Sequence, residues 1–156
     1  MGETSAIELR IAELGLELPP VAAPVAAYVP ATRAGGLVLT SGQLPSVAGS
    51  LVCTGKVGAD VTPEQATDAA RTAALNALAA AASQTGGLDG IARIVKATVF
   101  VASTPDFTGQ PQVANGASQL FVEVFGEAGQ HARSAVGVPV LPLDAPVEVE
   151  LTVEPA

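Results

Sequence analysis

The sequence predicts an α+β domain in which two amphipathic helices cover one face of a mixed β-sheet. Three observations lead there. Two stretches of helical periodicity alternate with β-like runs in the order strand-strand-strand-helix-strand-helix-strand-strand. The length of 156 residues, 49% of them hydrophobic, suits one domain with a sizeable core. Aromatic residues make up only 3% and Trp is absent, so that core must be assembled from Ala, Val, Leu and Ile. Each alanine buries little area, which makes an oligomer interface a natural supplement. No internal repeat or low-complexity linker breaks the chain.

The elements follow in order. Ser5 to Leu14 reads as a short amphipathic helix, with Ser5 and Glu8 as a capping box, Ile7, Ile11 and Leu14 on one face, and Gly15 as the stop. Pro19-Pro20 and Pro24 stiffen the link that follows. Residues 1–25 are therefore expected to be an appendage on a main domain of residues 26–156. Tyr28 to Arg33 and Leu37 to Thr40 are expected strands joined by the turn Ala34-Gly35-Gly36. Ser41-Gly42-Gln43 comes next. A Ser-Gly pair at a strand end either presents backbone amides to a ligand or marks a kink, and pattern alone favours the kink. Val47 to Gly49 reads as a turn and Leu51 to Thr54 as a short strand. Thr62-Pro63-Glu64-Gln65 is the clearest local signal. Thr62 caps, Pro63 takes the first helical position and Gln65 closes a capping box, opening an Ala-rich helix to about Ser83. Ile91 to Ala102 is strongly β. After a turn at Ser103 to Asp106 and a loop from Phe107 to Pro111, a second helix is expected from Gln112 or Val113 to Phe125, stopped by Gly126. Arg133 to Val138 and Val147 to Val153 complete the strands.

Charge and residue types exclude several functions. The net charge of −8, without a Lys/Arg cluster, argues against nucleic acid and against anionic membrane surfaces. No apolar run approaches the roughly 18 residues of a membrane span. The start, Met1-Gly2-Glu3-Thr4, is acidic and does not lead into a signal region. With a single cysteine, Cys53, the expectation is a cytoplasmic protein without a disulfide. Cys53 reads as a small packed residue, and His131 as a surface residue beside a strand. One His and one Cys supply no metal set; no Gly-x-Ser-x-Gly elbow, phosphate loop or dinucleotide fingerprint is present.

What remains is Arg133 at the mouth of an apolar strand and the pair Glu148/Glu150, which share one strand face while Val147, Val149 and Leu151 take the other. Arg133 either grips a carboxylate through two parallel hydrogen bonds or pairs with Glu148 or Glu150 across neighbouring strands. The glutamates are either a solvent-facing edge or include a group that holds and deprotonates water. Asn115, early in the second helix, reads alone as a surface or near-cap residue.

Taken together, Tyr28, Leu39-Thr40-Ser41-Gly42-Gln43-Leu44-Pro45, Val95-Lys96-Ala97-Thr98-Val99-Phe100-Val101, Asn115, Ala132-Arg133-Ser134, Leu141-Pro142 and Val147-Glu148-Val149-Glu150 resemble, in order, the RidA (YjgF-like) family of reactive enamine/imine deaminases. The resemblance implies a chorismate-mutase-like fold and a homotrimer with a barrel-like core of sheets, helices outside, and sites in the clefts between subunits. It implies that Arg133 binds the carboxylate of a 2-imino acid and that Glu148 positions water, with Glu150 structural or at the rim. Tyr28, Ser41, Gly42, Asn115 and Ser134 would contact substrate, and neither cofactor nor metal would be needed. Ala135 stands where the family often has Cys, and Gly137 where it has an acidic residue. Thr108 to Pro111 looks like a small insertion and residues 1–25 like an extension, so the chain resembles a divergent branch whose substrate need not be 2-iminopropanoate. Other expectations are a non-catalytic trimer that binds small carboxylates, the ribonuclease or translation-inhibitor activity attached to the family by name, which the charge opposes, and a holdase-like surface.

Overall fold

In the computed structural model, which describes residues 4–24 and 26–156, the chain runs through α1 (Ala6–Glu13), β1 (Ala31–Ala34), β2 (Leu37–Thr40), β3 (Ser46–Val47), β4 (Ser50–Leu51), α2 (Pro63–Ala82), β5 (Ile91–Ala102), α3 (Gln110–Phe125), β6 (Ala132–Val138) and β7 (Val147–Pro155). The acidic start, residues 1–3, and Val25 in the proline-rich link lie outside the described residues. Five strands form one sheet in the order β1-β2-β7-β5-β6, with β5 and β6 parallel and the other neighbours antiparallel. The mixed α+β sheet with two main helices on one face is thus the observed architecture.

Local chemistry explains the elements. Both predicted capping boxes form: Ser5 with Glu8, and Thr62 with Gln65. Each satisfies two amides that the first helical turn would otherwise leave unpaired. β7 alternates as expected, with Val147, Val149, Leu151 and Val153 buried under the helices and Glu148, Glu150 and Thr152 on the opposite face. On β5, Ala97, Val99 and Val101 share the buried face. α2 is buried over most of its girth, from Ala66 to Ala82, because the sheet, α3 and the β3–β4 hairpin surround it. Small side chains let α3 close in: at Gly116 a Cβ would overlap the Thr67 carbonyl oxygen of α2. Phe121, Leu120 and Leu78 supply the large buried side chains, and Ile11 of α1 joins the same cluster.

Three expectations are corrected. β1 starts at Ala31 rather than Tyr28; Tyr28 lies in a bend, its N–H bonded to the Ala26 carbonyl, and Pro30, which has no N–H, precedes the ladder. The run after Gly49 pairs only as β4 with β3, a separate hairpin pinned to α2 by the Asn76 amide, which donates to the Leu44 and Ser46 carbonyls at 2.9 Å each. α3 begins at Gln110 rather than after Pro111, because in the first turn the missing proline N–H costs no helical bond.

Candidate functional site

The first polar cluster forms where β2 leaves the sheet. After Leu39 pairs with Thr152, the ladder is interrupted: the Thr40 hydroxyl oxygen, not a carbonyl, accepts the Leu151 N–H at 2.9 Å. Pairing resumes at Gln43, which exchanges backbone hydrogen bonds with Val149 at 2.8 and 3.0 Å. Thr40 to Gly42 therefore bow out beside Glu148. The bow is the kink that pattern alone favours, and the group that approaches it closely is Glu148. Ser41 is anchored twice: its N–H goes to the Pro30 carbonyl, and its hydroxyl donates to the Val29 carbonyl at 2.6 Å. With that proton committed, Ser41 offers a ligand only lone pairs. Among the described residues the Gly42 N–H has no hydrogen-bond partner. A Cβ on Gly42 would overlap Glu148 Oε1 and lie 2.6 Å from its Cδ, so the glycine is what lets this carboxylate sit against the loop. Glu148 is half-buried; burial pushes its carboxyl above the ordinary glutamate range, and neighbouring Glu150 pushes it further.

The second cluster lies across the sheet. Arg133 pairs in register with Ala97, whose other neighbour is Leu151. Both are buried on the helix side, so Arg133 points towards the helices. There its Nη1 donates to Asn115 Oδ1 at 2.8 Å and to Ser118 Oγ at 3.2 Å, both on α3. His131 closes the group. Its Nε2 is 2.9 Å from Ser118 Oγ, its Nδ1 is 2.6 Å from the Gly129 carbonyl, and its ring meets Phe121 edge-on at 5.3 Å.

Of the residues singled out in the sequence, the structure joins Arg133 to Asn115 and Glu148 to Gly42, and tethers Ser41 beside the segment that carries Tyr28. Tyr28 itself is exposed. Ser134 pairs with Thr98 on the face opposite Arg133 and does not join its cluster. The cross-strand ion pair is absent. β5 separates β6 from β7, and Arg133 and Glu148 face opposite ways. Their backbones are about 10 Å apart both across and along the strands. Among the described residues Arg10, Arg71 and Arg93 pair with glutamates, whereas Arg133 pairs with none. A depression of about 240 Å³ on the bare sheet face, lined by Leu39, Lys96, Thr98 and Glu150 among others, contains neither Arg133 nor Glu148. His131 is half-buried rather than a surface residue, and Ser118 joins the cluster as a further member. The signal for both lay in spacing: Asn115 and Ser118 are i, i+3 on one helix face, and His131 and Arg133 are i, i+2 along an extended segment. Cys53 packs partly against the core as read, its thiol pushed up by burial. The described residues hold no cluster of three or more His, Cys, Asp or Glu side chains able to take a metal, and none of their helices is long and apolar enough to cross a membrane.

A mixed five-stranded sheet under two helices, with a loop-seated glutamate and a helix-tethered arginine, defines a class of small α+β domains. The chain belongs to the YjgF/chorismate-mutase-like family, described as putative endoribonucleases, whose pattern matches residues 8–154 and so begins inside α1. Protein TCP17 of Trypanosoma cruzi is 44% identical over 149 residues, spanning 95% of this chain and 93% of that protein. The crystal structure of a putative endoribonuclease from Shewanella oneidensis superposes with a TM-score of 0.92 at 37% identity, over 96% of this chain and 99% of that one. TdcF of E. coli, solved with bound serine, superposes with a TM-score of 0.63 at 26% identity, over 89% of this chain and 94% of that one. The RidA-like resemblance read from the sequence agrees with this membership.

Proposed function

We propose that the protein hydrolyses reactive 2-imino acids and their enamine tautomers to 2-oxo acids and ammonia, at sites shared between subunits of a homotrimer. The observation that carries the proposal is the bonding of Arg133. Among the described residues only Nη1 is engaged, and by the neutral acceptors Asn115 and Ser118. Nη2 and Nε keep their donors, and the positive charge is not cancelled by a carboxylate of the described residues. A substrate carboxylate would complete the guanidinium fork. Glu148 would take a proton from water as it attacks the carbon of the protonated imine, giving a neutral carbinolamine. Glu148 would then pass that proton to the carbinolamine nitrogen, and as the C–N bond breaks the hydroxyl would lose its proton to form the 2-oxo acid, with nitrogen leaving as ammonia. Ser41 lone pairs and the Gly42 N–H would orient the water or the developing hydroxyl, with Tyr28 at the rim. Because Arg133 and Glu148 face opposite sides of one sheet, a substrate that touches both requires Arg133 of one copy and Glu148 of another. Exposed Leu37, Leu39 and Val136 on that sheet favour such association.

The test couples an amino-acid oxidase or a threonine dehydratase to the protein and follows loss of the transient imine. Wild type should accelerate hydrolysis, while Arg133→Ala and Glu148→Gln should each remove the acceleration without changing the oligomer mass. Mixing the two inactive variants should restore activity at about a quarter of the sites, those where an intact Arg133 meets an intact Glu148 from a neighbour. No acceleration by wild type across a range of side chains refutes deamination, and failure of the mixture to recover refutes the shared site. A second reading, a carboxylate-binding protein without turnover, draws support from the serine held by TdcF. It predicts amino- or oxo-acid binding that Arg133→Ala abolishes and Glu148→Gln does not.

A further inference from the structure

We infer that Ser118 and His131 are positioning residues for Arg133, a directional hydrogen-bond relay that sets how the guanidinium meets a carboxylate. The inference rests on the reading of Arg133 as the carboxylate grip. The direction follows from the last link. The Gly129 carbonyl can only accept, so His131 Nδ1, 2.6 Å away, bears the proton. In the neutral ring Nε2 then carries a lone pair, and the Ser118 hydroxyl, 2.9 Å away, donates to it. The single Ser118 proton is thereby used, leaving its oxygen free only to accept, and what it accepts is Arg133 Nη1 at 3.2 Å. Each step fixes the polarity of the one before.

The far end of the relay is held firmly. Gly129 is buried, and a Cβ there would overlap the Phe121 carbonyl oxygen and lie 2.5 Å from its carbon, so the strand approach is fixed against α3. Phe121, fully buried, meets the imidazole edge-on with an interplanar angle of 82°. At the near end, Asn115 Oδ1 takes a second Nη1 proton at 2.8 Å. With both acceptors on one nitrogen, the guanidinium cannot turn about Cδ–Nε without losing both. The edge formed by Nη2 and Nε stays free, and a guanidinium held in plane loses less entropy when a carboxylate docks on it. Ser118 without His131 would hold that plane less well, since its hydroxyl could then turn its proton towards the cation.

The test combines binding and turnover. Binding of serine and of pyruvate, used as carboxylate probes, is measured by calorimetry for wild type, Arg133→Ala, Ser118→Ala, His131→Phe and His131→Gln, alongside imine hydrolysis. Ser118→Ala and His131→Phe should weaken binding and raise KM about tenfold, and kcat should change much less. His131→Gln should restore most of the affinity, because its amide oxygen and nitrogen reproduce an acceptor towards Ser118 and a donor towards Gly129. Equal losses in His131→Phe and His131→Gln would mean that an acceptor and a donor at this position do not set the affinity, and would overturn the relay. So would binding that vanishes in Arg133→Ala but is untouched in Ser118→Ala and His131→Phe. Failure of wild type to bind either probe overturns the relay and the carboxylate grip together. Binding with the expected pattern but without turnover leaves the relay standing and rejects only the deaminase reading.

Discussion

Adding one methyl group to Gly42 separates the position of Glu148 from its presence. Gly42 does not occupy the left-handed backbone region, so alanine is conformationally acceptable there. Its Cβ would meet only the far end of the Glu148 side chain, overlapping Oε1 and standing 2.6 Å from Cδ and 2.9 Å from Cγ. Carbon pairs rest at about 3.5–4.0 Å, so the carboxyl carbon must retreat by about 1 Å. A rotamer adjustment of that size costs roughly 0.5–1.5 kcal/mol. Replacing glycine at a compatible site returns roughly 0.4–1 kcal/mol by restricting the unfolded chain. These terms nearly cancel, and at this chain length about 1 kcal/mol moves Tm by roughly 2–4 °C, so Tm should stay within about 4 °C of wild type. Activity should behave differently, since a displacement of about 1 Å at a reacting group costs on the order of 100-fold, or about 2.7 kcal/mol of barrier. The assay is the coupled imine hydrolysis, with thermal unfolding run in parallel. A Gly42→Ala protein that folds with wild-type Tm and retains kcat/KM within about threefold refutes the seating argument.

Three further outcomes follow from the same geometry. Glu148 holds its proton to higher pH in the folded than in the unfolded chain, so its ionisation lowers stability as pH rises from the ordinary glutamate value through its raised one. Glu148→Gln should therefore be more stable than wild type at neutral pH, with the gap closing as pH falls below the ordinary glutamate range; a gap that widens on acidification, read by urea unfolding, contradicts this. Asn76→Ala strips two carbonyl partners from the β3–β4 hairpin and should cost about 1–3 kcal/mol, seen as a lower urea midpoint at unchanged slope. Gly116→Ala gains helix propensity of about 1 kcal/mol but drives a methyl into the Thr67 carbonyl, and overpacking of about 1–3 kcal/mol should prevail as a fall in Tm; a rise would mean α2 and α3 separate without cost.

What the sequence disclosed and what it hid divide along the range of the forces involved. The capping boxes of Ser5/Glu8 and Thr62/Gln65 act over three residues, and both stand where local reading put them. The alternation of Val147 to Val153 reports its own two faces and was equally legible. Strand neighbours are another matter. β6 and β7 follow one another in the chain, so a ladder between them was a natural expectation for Arg133 and the glutamates, yet β5 lies between them. Nor does a strand reveal which face a residue takes, because a slip of one residue in register reverses every side chain; the pairing of Ala97 with Arg133 is what turns the arginine to the helices. His131 was only partly legible for the same reason: its spacing from Arg133 was on view, but its partners Ser118 and Phe121 become neighbours only when α3 packs on β6. These long-range facts bear directly on chemistry. A cation on the helix side and a carboxylate on the bare side of one sheet cannot grip one small molecule within a single chain. For the proposed reaction, association of subunits is then a requirement of catalysis as well as a supplement to an alanine-rich core, and the mixture of two inactive variants tests that requirement directly.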